Sequence, residues 1–156
     1  MNKKSLALSK GGFSIAILLG YLAFCAFFFT YGLKAFQRAA EKLSGQQTLG
    51  GLAPAFALTF ALIALCCFIL PALLFFISSI GNFVGKGNKL SGFTAVSLIA
   101  EILAIAILFF LTLFFLDGTL YDGLAVAVTL IFDGLVLTSF IHSVIVLVKG
   151  KTADEA

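Results

Sequence analysis

Three residues could carry acid–base chemistry in an otherwise apolar sequence: Glu101, Asp133 and His142. Each lies inside a long hydrophobic run, where an ionisable side chain is costly and normally faces protein or a water-filled cavity. Glu101 is eight residues past Phe93 and His142 six residues before Val148. At a helical rise of about 1.5 Å per residue, both lie roughly 9–12 Å from the same membrane edge. A Glu101–His142 contact is expected, with Tyr21 at similar depth and Ser78, Ser79 and Asn82 completing a polar layer. Asp133 is out of phase with His142 and pairs in sequence with Thr129, one turn earlier. The candidate intramembrane polar site is therefore Glu101, His142, Tyr21 and Asp133. It serves as structural glue between helices or as a solute or proton site.

The same residues argue against other chemistry. No nucleophile, base and orienting group share a spacing, so no enzyme is expected. One histidine and two acids at unlike depths make no metal cage, and no cofactor is expected. Gly85-Lys86-Gly87-Asn88-Lys89 lacks the spacing of a phosphate loop. Cys25, Cys66 and Cys67 form no Cys-x-x-Cys pair and are read as small apolar core residues. The net charge of +3 is scattered, with no basic stripe for nucleic acid.

These residues are held by an unusual chain. Of 156 residues, 62% are hydrophobic and 11% charged, with a mean hydropathy of +1.17. A soluble domain this small cannot bury that much apolar surface. Four runs, 13–32, 55–80, 93–116 and 124–148, are each long enough to cross a bilayer as a helix. Backbone groups in lipid must be satisfied internally, and the runs lack the alternation of a barrel strand. The expected fold is all-α: one membrane domain over 1–156, with four transmembrane helices in an antiparallel bundle.

Local signals refine this picture. Pro54 suits the first turn of the second span, and Pro71 is expected to kink it. Ser91 is read as a cap for the third span. Residues 117–123 form a tight polar turn that makes the last two spans neighbours. Residues 33–43 separate Leu33, Phe36 and Leu43 from Lys34 and Arg38, as an interfacial amphipathic helix would. Gly12, Ala16 and Gly20, Ala57 with Ala61, and Ala100 with Ala104 are small residues four apart, suited to internal helix packing. Similar openings at Gly12-Phe13-Ser14 and Gly92-Phe93-Thr94 suggest a parallel hairpin repeat.

All ten Lys and Arg residues are read as lying outside the spans. Lys3, Lys4, Lys10, Lys86, Lys89, Lys149 and Lys151 fall on the side of the termini, against Lys34, Arg38 and Lys42. This bias predicts both termini in the cytoplasm, in a bacterial cytoplasmic membrane. The expected function is that of a non-catalytic accessory, assembly or protective component acting through helix contacts. Its surroundings would be the lipid bilayer and a membrane-protein partner or a second copy of itself. The alternative is a small-solute or proton-coupled transport component using Glu101, His142 and Asp133.

Overall fold

The computed structural model describes residues 3–32, 34, 38, 53–84, 90–116 and 122–152. Helix α1 covers Lys3–Phe27 and ends in a wider π-helical turn at Phe28–Gly32. Helix α2 covers Ala53–Val84, α3 Leu90–Leu116 and α4 Gly123–Thr152. Among the described residues, four helices are long and apolar enough to cross a membrane.

Cross-helix contacts give the topology. Ser9 meets His142, Phe24 meets Phe132 and Tyr31 meets Asp122, so α1 and α4 run antiparallel. Glu101 meets Ser143 and Thr112 meets Thr129, which sets α3 antiparallel to α4. Gly11 lies against Phe83, and Phe28 against Phe68, so α1 and α2 are antiparallel too. The Ser78 hydroxyl donates to the Phe93 carbonyl at 2.9 Å, joining α2 to α3. Helices α1 and α3 run parallel across the bundle, touching through Lys10–Glu101 and Phe28–Phe115.

The inward faces follow alternating steps of three and four residues, the spacing that keeps a seam of side chains on the axis of a left-handed bundle. On α1 the buried seam is Lys10, Ser14, Ile17, Tyr21, Phe24 and Phe28. On α3 it is Thr94, Ser97, Glu101, Ala104, Leu108, Leu111 and Phe115. The core is therefore divided lengthwise. Toward the termini it holds Lys10, Ser14, Ser97, Glu101, Ser139 and Ser143; beyond Tyr21 it holds mainly phenylalanine, leucine and alanine, with the hydrogen-bonded Thr112 and Thr129 as its buried polar pair. The aromatic part is knit by Phe68, whose ring meets those of Tyr21, Phe24, Phe28 and Phe29.

Several expectations are corrected. Helix α1 begins about ten residues before its apolar run, because its first turns pack inside the bundle: Leu6 and Ala7 are buried with Leu90 and Val146. Ser91 is the second residue of α3 and not its cap. Helix α2 continues through the buried Pro71 as a single helix, so the proline does not end it. Gly12 and Ala16 face outward, although Ala100 and Ala104 are fully buried. Cys66 and Cys67 are exposed on the outer surface, since the α2 seam runs instead through Ala64, Phe68 and Pro71. Of the 33–43 segment only Lys34 and Arg38 are described, with Arg38 Nε donating to the Lys34 carbonyl at 3.2 Å; the rest of the segment lies outside the described residues.

Asp122 fixes the start of α4. Its Oδ1 accepts from the backbone N–H groups of Leu124 and Ala125 at 3.2 and 3.1 Å, a side-chain helix cap. The Tyr31 hydroxyl donates to the same carboxylate at 3.2 Å. Gly81 is needed for close packing: a Cβ there would overlap the Phe93 ring of α3. Gly81→Ala should therefore destabilise the bundle by about 1–3 kcal/mol, the usual cost of overpacking. Adding Phe93→Leu should return part of that loss in a detergent unfolding titration.

Candidate intramembrane polar site

Glu101 is fully buried, and four side chains from three helices converge on its carboxylate. Lys10 Nζ, from α1, donates to Oε1 at 2.9 Å. Ser97, one turn earlier on α3, donates to the same oxygen at 3.0 Å. From α4, Ser139 donates to Oε1 at 2.6 Å, and Ser143 lies 2.8 Å from both carboxylate oxygens. Lys10 Nζ also donates to the Ser143 hydroxyl. Ser139 and Ser143 are one turn apart on α4, as are Ser97 and Glu101 on α3, so both helices present their polar groups at one level.

The pair is sealed. Lys10 and Glu101 both have zero side-chain exposure. Below them, toward the termini, Leu6, Ala7, Leu90 and Val146 form a small apolar cluster. Above them, Ile17 and Tyr21 belong to the main hydrophobic core. A buried charge is tolerable only with an opposite charge and enough hydrogen bonds, and here both are supplied.

The expected Glu101–His142 contact is replaced by this arrangement. His142 is half-buried at the bundle edge. Its ring stacks on Phe13 with centroids 4.7 Å apart, and Nε2 makes a long contact of 3.5 Å with the Ser9 hydroxyl. Its Nδ1 has no hydrogen-bond partner among the described residues. The depth was matched but the phase was not: the neighbouring Ser143 points at Glu101, and one residue along a helix turns the side chain by about 100°.

Tyr21 is buried in the aromatic core, edge-on to Phe68, and its hydroxyl has no hydrogen-bond partner among the described residues. Asp133 joins neither group. Its expected partner Thr129 instead bonds the Thr112 hydroxyl at 3.1 Å and the backbone of its own helix. Asp133 is half-buried, and its buried Oδ1 has no hydrogen-bond partner among the described residues.

Sequence reasoning misses Lys10, which precedes the first apolar run and reads as a water-side topology signal. The available signal was the seam itself: Lys10, Ser14, Ile17 and Tyr21 continue one three-and-four pattern. Among the described residues, no group of three or more His, Cys, Asp or Glu side chains could hold a metal ion. Comparison with known protein families, characterised proteins and solved structures yields no match of any of the three kinds.

Removing one member of the pair strands the other charge. Glu101→Leu or Lys10→Met alone should each destabilise by about 3–5 kcal/mol, whereas the double variant should lie near the wild type. A four-point unfolding cycle in detergent measures this coupling. Additive single effects would show that the charges do not stabilise one another.

Proposed function

We propose that this chain is a non-catalytic accessory or assembly component of a membrane, acting through its helix faces. The observation that carries the reading is the closure of the buried Lys10–Glu101 ion pair. Glu101 is held from three helices and has no exposed surface, as a lock between helices requires. The three acid and imidazole groups that a carrier would use are dispersed: Glu101 inside the bundle, His142 at its edge against Phe13, and Asp133 apart from both.

A small-solute or proton-coupled component is the second reading. The buried, unpartnered hydroxyls of Ser14 and Tyr21 favour it, because a proton path needs such groups. Vesicles containing the purified protein and an internal pH dye separate the two. Under an imposed potential the lock reading expects acidification no faster than in protein-free vesicles. Faster acidification that is abolished by Glu101→Gln would overturn it.

The same reading puts the chain in a bacterial cytoplasmic membrane with both termini in the cytoplasm. With Lys10 assigned to the core, Lys3, Lys4, Lys86, Lys89, Lys149 and Lys151 still outnumber Lys34, Arg38 and Lys42. In a background without Cys25, Cys66 and Cys67, a membrane-impermeant maleimide should label Thr119→Cys in intact cells and leave Ser5→Cys unlabelled. The reverse pattern would invert the topology.

A further inference from the structure

Asp133 is an acid near the middle of the membrane, and no basic side chain among the described residues pairs with it. It lies ten residues past Gly123, where the last span begins, and seventeen before Gly150, where it ends. Those separations are roughly 15 and 25 Å along the helix. Lys10, the one buried cation among the described residues, is committed to Glu101 and Ser143. Ser143 is itself ten residues along α4 from Asp133, or about 15 Å.

The surface around Asp133 is shaped for a neighbour. Leu130, Leu137 and Ile141 are exposed and recur on its side of α4 at helical spacing. Gly134, beside it, is exposed and has open space where a Cβ would stand, so another backbone can approach closely. The Thr138 hydroxyl is tied to the Gly134 carbonyl at 2.8 Å, and Asp133 stays partly exposed although its unpartnered Oδ1 is turned away from the surface.

We propose that this face docks a single transmembrane helix of another protein, one that carries a lysine or arginine at mid-membrane depth. The proposal rests on the helix-contact reading above and names its partner's chemistry. Charge complementarity selects the occupant. A carboxylate in hydrocarbon gains most from a cation, and a second copy of this chain brings its own Lys10 already buried. The basic helix would lie along Leu130, Gly134, Leu137 and Ile141, with its cation reaching Asp133.

The test uses the full chain in vesicles with a defined probe. The probe is a leucine–alanine transmembrane peptide carrying one central lysine; its control carries leucine at that position. Energy transfer from a dye on the protein reports association. The lysine peptide should associate about five- to tenfold more tightly than its control, the preference that one intramembrane polar contact of about 1–1.4 kcal/mol gives. The preference should vanish in Asp133→Leu and survive in Asp133→Glu. Unfolding of Asp133→Leu with the wild-type midpoint would confirm that only the surface has changed.

Equal association of the two peptides, or a lysine preference that survives Asp133→Leu, would overturn the proposal. So would a concentration-dependent dimer of the chain that excludes the peptide, since the face would then belong to a second copy. None of these outcomes bears on the vesicle acidification assay, so failure here is distinguishable from failure of the lock reading.

Discussion

The ion pair between Lys10 and Glu101 constrains the rest of the bundle. In a medium as apolar as this core, an unpaired charge costs several kcal/mol, and the pair offsets that cost only when geometry and hydrogen bonding are good. Both conditions need several helices at once. Lysine comes from α1, glutamate and Ser97 from α3, and Ser139 and Ser143 from α4. Ser143 has one proton and faces Glu101, the Ser139 carbonyl and Lys10, so it accepts from the ammonium while donating to one of the oxygens. A slide of one turn in α1 or α3 would part the charges, and one in α4 would remove two of the hydroxyls that solvate the carboxylate.

That constraint explains why the core is divided lengthwise. Aromatic and aliphatic contacts beyond Tyr21 are numerous but weakly directional, and lipid supplies no hydrophobic drive to favour one register over another. Phe68 touches four rings, and a displaced Phe68 would still find rings to touch. The polar end has no such tolerance. The apolar cluster of Leu6, Ala7, Leu90 and Val146 then keeps water from the pair, which preserves the low dielectric that makes the pairing specific. Register is thus set at one end and contact area is supplied mainly at the other.

The four spans were legible because length and hydropathy are properties of a segment. Glu101 was legible as an anomaly, an acid in a run of leucine and isoleucine. Its partner was hidden by a convention: a lysine just before an apolar run is normally a topology signal, and here α1 starts early enough to bring Lys10 inside. His142 was mistaken for the partner because depth can be counted from a sequence, whereas the side of a helix that faces protein is obscured when both faces are apolar. Cys66 and Cys67 illustrate the same limit. Their neighbours Ala64 and Phe68 face inward and they do not, yet all four are equally at home in lipid.

Glu101 and Asp133 are the same chemistry in opposite settings, and the contrast separates two uses of a membrane acid. Glu101 has a cation, three serines and no exposure, so its interactions end within the chain. Asp133 has an unpartnered oxygen, partial exposure and an open glycine beside it, so its interactions are incomplete within the chain. Among the described residues Lys10 is the single cation in the bundle core, and it is paired with Glu101, which leaves Asp133 without a counter-charge there. The acid closed by the fold holds the helices in register. The acid left open at the surface is the one through which the bundle can distinguish a neighbouring helix from lipid.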